Sequence, residues 1–209
     1  MFTKRCKNTF FDNFYDILSW IFFYQGTCYL AASKSIKNMA IVKSVRGFTP
    51  KMGNKCFLAD NAVVVGEVTM GDNCTVWFNA VVRGDVHSIT IGNDTNIQDG
   101  AIIHCTYQKA KTVIGSNVSI AHNAIVHGCT VEDNVLIGMG AIIMDDAVIG
   151  TNSVIAAGAV ILPGTKVEPG SIYAGVPAKK VKDITEEMKA VIIRTARNYP
   201  MYAEWFTQE

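Results

Sequence analysis

The most constraining feature of this sequence is a six-residue spacing of aliphatic residues. Apolar residues recur at this spacing, with two longer steps and one five-residue step, at Leu58, Val64, Met70, Val76, Val82, Ile91, Ile97, Ile103, Ile114, Ile120, Val126, Val131, Ile137, Ile143, Ile149, Ile155, Ile161 and Val167. A period of six fits neither a helix face nor a heptad, but it is typical of short strands separated by sharp turns. The spacing therefore predicts an all-β chain wound into a parallel β-helix of about six coils, three strands to a coil.

The segment before the repeat has a different character. Residues 1–38 hold six of the ten Phe, and basic residues precede a short apolar stretch. We interpret this segment as an N-terminal extension upstream of an alternative start at Met39. A signal peptide or membrane anchor is the less favoured interpretation, because Asp12 and Asp16 interrupt the segment where a charge-free core is required.

The segment after the repeat has a helical pattern. We assign residues 39–182 to the β-helix domain and residues 183–209 to a C-terminal α-helix, because apolar residues there recur at helical spacing. Asp183 is a candidate N-terminal cap. Pro200 is expected to end or kink the helix, which we expect to pack against a neighbouring β-helix.

Composition excludes several classes of function. The 209 residues include 19 Lys and Arg against 18 Asp and Glu, so there is no basic excess of the kind that nucleic-acid binding requires. No apolar stretch is long enough for a transmembrane helix, so we expect no stable membrane insertion. The cysteines form no C-x-x-C pair, which favours free thiols in a reducing cytoplasm; they are Cys6, Cys28, Cys56, Cys74, Cys105 and Cys129.

The histidines gain meaning from the repeat register. His104 follows Ile103 and His127 follows Val126, so both occupy the same place in consecutive coils and should stack one rung apart, close enough to share a metal. His122 lies on the adjacent face and cannot easily complete the pair within one chain. A homotrimer would supply it from a neighbouring subunit. Three imidazoles with open positions suit catalytic Zn²⁺, or Fe²⁺ or Co²⁺.

Charged residues share the same columns. Arg83 occupies the place of His104 one coil earlier, and Asp99 occupies the place of His122 one coil earlier. We predict an intersubunit salt bridge between Arg83 and Asp99, which Asp85 could join. The register supports this structural role at least as well as a catalytic one.

Four segments resemble the signature segments of γ-class carbonic anhydrases and their relatives in the hexapeptide-repeat superfamily. They are Arg83-Gly84-Asp85, Asn96-Ile97-Gln98-Asp99-Gly100, His104, and Ala121-His122-Asn123-Ala124-Ile125-Val126-His127-Gly128. The resemblance implies a left-handed coil and a metal held by three histidines, with His122 donated across a trimer interface. It also implies that Gln98 positions water at the metal, that Arg83 and Asp99 hold the interface, and that Tyr199 approaches the metal from the C-terminal helix.

The activity implied by this resemblance is the reversible hydration of CO₂, a small-molecule substrate, to bicarbonate by a metal-bound hydroxide. The sequence departs from the family in lacking two proton-transferring glutamates. Val86 and His87 stand at the first position, and the loop after His104 is short and basic. His87 is a candidate proton shuttle, although an exposed loop histidine without a role is the simpler interpretation.

Two alternatives stay open. Many hexapeptide-repeat proteins are CoA-dependent acyltransferases or acetyltransferases, and the segment 175–179 resembles their coil exit. That chemistry needs one histidine as a general base, whereas the register here brings three together. The second alternative is a metal-binding homologue without rapid turnover, which the missing glutamates favour.

Overall fold

The computed structural model describes residues 22–24, 27–29 and 39–207. The internal contacts divide the chain into two units, residues 1–38 and 39–209. The described part of the first unit is an antiparallel pair of strands, β1 (Phe22–Tyr24) and β2 (Thr27–Tyr29). Asp12 and Asp16, on which the interpretation of this segment depends, lie outside the described residues.

The second unit consists of short strands followed by one helix. The strands are β3 (Ile41–Lys43), β4 (Lys51–Met52), β5 (Phe57–Leu58), β6 (Val63–Met70), β7 (Thr75–Val76), β8 (Val81–Ile91), β9 (Asn96–Ile97), β10 (Ile102–His104), β11 (Thr112–Ile114), β12 (Ser119–Ile120), β13 (Ile125–His127), β14 (Thr130–Val131), β15 (Leu136–Ile137), β16 (Ile142–Ile143), β17 (Val148–Ile149), β18 (Val154–Ile155), β19 (Val160–Ile161), β20 (Lys166–Val167), β21 (Ser171–Gly175) and β22 (Ala178–Asp183). Helix α1 (Glu186–Thr207) follows.

The strands stack into three faces of a parallel β-helix. Face A contains β5, β7, β9, β12, β15, β18 and β21, and β22 then folds back antiparallel to β21. Face B contains β3, β10, β13, β16 and β19 with the first halves of β6 and β8, and face C contains β4, β11, β14, β17 and β20 with their second halves. This confirms the predicted architecture. The β-helix has about seven turns rather than the predicted six, because β3 and β4 form a turn before the first hexad at Leu58.

The core is the stack of aliphatic side chains that the repeat predicted. Ile120 pairs in parallel register with Ile97 of the preceding turn and Ile137 of the next, and all three are fully buried. Burying such a side chain stabilises the fold by roughly 1.5–3 kcal/mol. Sharp corners separate the strands, and Asn123 and Asn134 adopt the left-handed conformation at two of them, which asparagine tolerates better than most residues.

The N-terminal cap of helix α1 differs from the prediction, and Pro200 does not end the helix. Asp183 does not cap it: Asp183 ends β22 and pairs with Lys180, whereas the Thr185 hydroxyl accepts the Met188 amide at 3.3 Å. Pro200 lies inside the helix, which continues to Thr207. Within one chain the helix packs on face A, against β7 and β12, and its packing against a neighbouring β-helix stays a prediction. In the part of the chain that the structure describes, no helix has both the length and the apolar character needed to cross a membrane.

The three faces have different surfaces. On face A, helix α1 covers polar side chains such as Asn96 and Ser119, which are fully buried. The outward positions of face C include Lys51 and Lys166, which are exposed to solvent. Face B carries an outward row of aliphatic side chains that no element of the described chain covers: Ile41, Val63, Val81, Ile102, Ile125, Ile142 and Val160.

Candidate metal centre

Two histidines stack one rung apart on face B. Ile103 and Val126 point into the core, so the residue after each points outward. The pairing of β10 with β13 sets His104 opposite His127, with Nδ1 of His104 3.1 Å from Nε2 of His127. The repeat register therefore brings the two imidazoles close enough together to bind the same metal ion.

Each of these imidazoles also contacts a carboxylate. Nε2 of His104 lies 3.0 Å from Oδ1 of Asp85, and Nδ1 of His127 lies 2.6 Å from Oδ1 of Asp145. The Arg83 guanidinium donates to the second oxygen of Asp85 at 2.6 Å, and the Thr106 hydroxyl donates to the second oxygen of Asp145 at 2.5 Å. Carboxylates that orient imidazoles in this way are typical of histidine metal sites.

The contacts require more protons than neutral histidines possess. Three contacts run in series, from Asp85 through His104 and His127 to Asp145. Two neutral imidazoles carry one N–H proton each, so one of the three contacts is left with two facing acceptors. If Nδ1 of His127 donates to Asp145, its Nε2 presents a lone pair toward His104. A cation between the two rings satisfies these acceptors, so the donor set fits a metal.

The electrostatics favour a cation as well. Burial is the largest factor that lowers the pKa of His104, and it outweighs the opposing effect of the hydrogen bond that Asp85 accepts from this imidazole. Burial acts to raise the pKa of Asp145, but hydrogen bonds from Thr106 and His127 outweigh it and hold that pKa below its usual value. The same balance, with Arg83 and His104 as donors, lowers the pKa of Asp85. A neutral His104 imidazole beside ionised carboxylates results.

His122 lies at the other edge of face B, at the corner that leads from β12 to β13. Its Nδ1 is 2.9 Å from Oδ2 of Asp99, one turn earlier, as the shared column required. Tyr199 of helix α1 packs edge-on against Trp77, with ring centroids 5.5 Å apart. Burial, and then the charge of Asp99, raises the pKa of Tyr199 to about 12. Tyr199 thus lies near the edge of face B that carries His122 and not near the edge that carries His104.

Two predicted site residues lie away from the histidine pair. Gln98 is buried on face A, where its Nε2 donates to Oδ1 of Asn96 at 3.0 Å. Nδ1 of His87 accepts the Ser88 amide at 2.8 Å. His87 lines a cavity of about 160 Å³ together with Asp85. The roles of Gln98 and His87 remain predictions.

Arg83 and Asp99 do not contact each other within one chain. Arg83 pairs with Asp85, and Asp99 pairs with His122. A bridge between subunits therefore remains a prediction. Among residues 22–24, 27–29 and 39–207 of a single chain, no group of three His, Cys, Asp or Glu side chains is placed to hold a metal.

Asp145 and Thr106 were not anticipated from the sequence. The residue one turn after His127 in strict register is Met144, and Asp145 reaches His127 from the corner just beyond it. A search of the corner residues next to each histidine would have found it. Beside it, a cavity of about 430 Å³ is lined by His127, Asp145 and mainly apolar side chains, including Ile142 and Met144.

Comparisons with known proteins identify relatives of this chain. The family described as "Bacterial transferase hexapeptide (six repeats)" matches residues 49–84 and 128–163. A Methanocaldococcus jannaschii protein named "Probable carbonic anhydrase" is 48% identical over 147 residues, 70% of this chain and 92% of that protein. "Gamma carbonic anhydrase 2, mitochondrial" of Arabidopsis thaliana is 36% identical over 166 residues, 77% of this chain. The chain spans only 60% of that longer relative.

A solved structure is similar over most of the chain. The hexapeptide transferase family protein from Anaplasma phagocytophilum superimposes with a TM-score of 0.76 at 37% sequence identity. The match covers 79% of this chain and 98% of the other. The similarity therefore extends over the β-helix that carries the histidines.

Proposed function

We propose, because this chain belongs to the γ-carbonic-anhydrase-like family of hexapeptide-repeat proteins, that it forms a homotrimeric metalloenzyme that interconverts CO₂ and bicarbonate. The observation that carries the proposal is the pair His104 and His127. Nδ1 of His104 lies 3.1 Å from Nε2 of His127, and each ring is oriented by a carboxylate. An acyltransferase general base would need neither the second imidazole nor the second carboxylate.

The metal ligands in this proposal are His104 and His127 of one subunit and His122 of the next. Zn²⁺ is the favoured ion, with Fe²⁺ and Co²⁺ as alternatives, because three neutral imidazoles leave open positions for water and substrate. When bound, such an ion supplies a Lewis acid that lowers the pKa of water toward neutrality. Asp99 holds Nδ1 of His122, which leaves its Nε2 free to face a neighbouring subunit.

The surface of face B supports the trimer. Its outward row is aliphatic, and Ile102 in this row is an exposed large apolar side chain, as are Met144 and Leu162 just after β16 and β19. Contiguous exposed apolar surface of this kind marks interaction sites. Helix α1 covers face A, and face C is mainly polar, so face B is the face that a second copy would cover.

The other residues of the site have distinct tasks in this proposal. Asp145 and Asp85 fix the ring orientations of His127 and His104, and Arg83 balances the charge of Asp85. The largely apolar cavity beside His127 suits a small uncharged substrate such as CO₂. Gln98 is proposed to orient water, and His87, which borders the cavity next to Asp85, to pass a proton to solvent.

Subunit mixing tests whether the site is shared. His122→Ala and His104→Ala/His127→Ala chains should each form trimers that bind no catalytic metal. When the two are unfolded together and refolded, each mixed trimer regains one complete site, so roughly a quarter of the wild-type metal content returns by random assembly. A site built within one chain predicts no recovery on mixing, and that result would overturn the shared site.

Turnover is tested separately on the metal-loaded wild-type trimer by stopped-flow CO₂ hydration, with the His122→Ala variant as the control. If the wild-type protein binds metal but hydrates CO₂ no faster than the His122→Ala variant, the proposed enzymatic activity is refuted and a metal-binding homologue without rapid turnover is favoured. Acyl transfer from acetyl-CoA in metal-free protein would favour the second candidate. That candidate is supported by the transferase descriptions of the matching family and of the similar solved structure.

A cytoplasmic location stays a prediction, since one relative is named as mitochondrial.

A further inference from the structure

Two cysteines stack on each other at the corner between faces C and A. Cys56 and Cys74 occupy the same place in consecutive turns, and the Phe57 amide donates to the Cys74 carbonyl at 2.9 Å. Sγ of Cys56 donates to the Gly71 carbonyl at 3.1 Å, and Sγ of Cys74 donates to the Gly92 carbonyl at 3.0 Å. Because both thiols make the same contact one turn apart, the two side chains have the same orientation and stack along the axis of the β-helix.

The spacing of this pair is compatible with a covalent link. Parallel in-register neighbours have Cα atoms about 4.8 Å apart, inside the range of about 4.4–6.8 Å seen for disulfides. The side chains need a small further approach to bring the sulfurs together. Cys56 can provide it, because Cys56 is only partly buried whereas Cys74 is fully buried.

Solvent and small molecules can reach this pair. Cys56 lines a cavity of about 510 Å³ between the corner and the second half of helix α1, together with Lys55, Arg197 and Glu204. The corner lies opposite face B, so the proposed trimer interface leaves it open. The pair is therefore separate from the histidine site.

The remaining two described cysteines provide an internal contrast. Burial raises the pKa of the Cys105 thiol, and burial also raises the pKa of Cys129 to about 12. A hydrogen bond with Cys74 is the largest factor that lowers the pKa of Cys56, to about 7. The thiolate is the nucleophilic form of cysteine, so the partial exposure of Cys56 and its lowered pKa favour it as the nucleophile over the buried thiols.

We propose that Cys56 and Cys74 form a peroxide-sensitive dithiol that closes to a disulfide between two consecutive turns of the β-helix. The Cys56 thiolate attacks one oxygen of a hydroperoxide, so an S–O bond forms, the O–O bond breaks and the second oxygen leaves as hydroxide or alkoxide, which takes a proton. The Cys74 sulfur then attacks the Cys56 sulfur, the S–S bond forms, and the sulfenic oxygen leaves as water with the proton of Cys74. The peroxide is reduced by two electrons, and the two thiols are oxidised by two.

The test uses the reduced full-length chain with Cys6 and Cys28 replaced by serine, so that the thiols of the β-helix remain. Treatment with hydrogen peroxide should lower the intact mass by two hydrogen atoms, and peptide mapping should locate the link between Cys56 and Cys74. In the untreated protein, iodoacetamide should alkylate Cys56 at least about tenfold faster than Cys105 or Cys129.

Two single variants test which cysteine attacks the peroxide and which one closes the disulfide. Cys74→Ser should leave Cys56 as a sulfenic acid that dimedone traps, and Cys56→Ser should abolish peroxide oxidation of the corner. Serine is accommodated here, because Ser153 and Ser171 occupy equivalent places in later turns and are fully buried. A Cys105→Ser/Cys129→Ser variant is the matched control and should oxidise like its parent.

Three results would overturn the proposal. One is a native protein that keeps all its thiols under peroxide while unfolded protein loses them. The others are a disulfide that maps to Cys105 and Cys129, and alkylation of Cys56 no faster than that of the buried cysteines. None of these readouts depends on a metal or on CO₂ hydration.

Discussion

Replacing Asp145 by asparagine tests the tightest contact of the candidate metal centre. The carboxylate accepts Nδ1 of His127 at 2.6 Å and the Thr106 hydroxyl at 2.5 Å. Removing a carboxylate that orients a metal-bound histidine typically costs about 10–100-fold in metal affinity. That loss corresponds to about 1.4–2.7 kcal/mol. The asparagine amide still offers one oxygen to His127, and water partly screens the Asp145 side chain, which is 21% exposed, so we expect about tenfold.

The assay is competition for Zn²⁺ between the trimer and a chromophoric chelator at neutral pH. Asp146→Asn is the matched control, because Asp146 is the adjacent residue, is exposed, and has a φ of 60° that asparagine tolerates. Both variants lose one negative charge at nearly the same place. Light scattering verifies that each remains trimeric, so that a change in affinity is not a change in assembly.

The reasoning is refuted if Asp145→Asn binds Zn²⁺ as tightly as wild type. It is equally refuted if Asp146→Asn weakens binding by the same factor, because the effect would then be that of net charge and not of ring orientation. A Thr106→Val variant completes the set. It removes the hydroxyl and keeps the carboxylate, so it should weaken binding less than Asp145→Asn does.

Three further predictions concern assembly, stability and pH. Ile102→Glu places a charge on the exposed row of face B and should convert the trimer to folded monomers, measured by light scattering with circular dichroism as the folding control. Ile103→Ala, one residue on, empties part of the core and should lower the free energy of unfolding by about 2–5 kcal/mol in urea denaturation. The lowered pKa of His104 means that the unfolded state binds its proton first, so metal-free protein should lose stability as pH falls below 6.5, and His104→Gln should reduce that loss. An unchanged pH slope in this variant would contradict the assignment.

The periodic part of the fold could be read from the sequence because its cause is local. An inward aliphatic residue every six positions specifies the strand, the turn and the coil at once, and Ile97, Ile120 and Ile137 stack as that rule requires. The helix cap could not be read in this way. Asp183 and Thr185 are both good capping residues, and the pairing of Asp183 with Ser171 across β21 and β22, a tertiary contact, decides between them.

The candidate metal centre, like the fold, was only partly predictable from the repeat. Register alone placed His104 opposite His127, because both follow inward residues of adjacent strands. Register did not reveal Asp145, since this residue leaves its strand at a corner and turns toward the ring from outside the column. Side chains at corners escape the periodic rule. The contact of Asp145 comes from such a corner, whereas Asp85 contacts His104 from within β8.

The arrangement of the histidines also restricts the symmetry of any complete site. His122 precedes β13 and His127 ends it, so the two lie at opposite edges of face B. The edges carry different partners, Asp99 at one and Asp145 at the other. A site that joins unlike edges of two copies is compatible with the reciprocal contact of a twofold dimer and with the repeated contact of a closed ring. The two arrangements differ in the number of copies, so light scattering of the metal-loaded protein distinguishes the proposed trimer from a dimer.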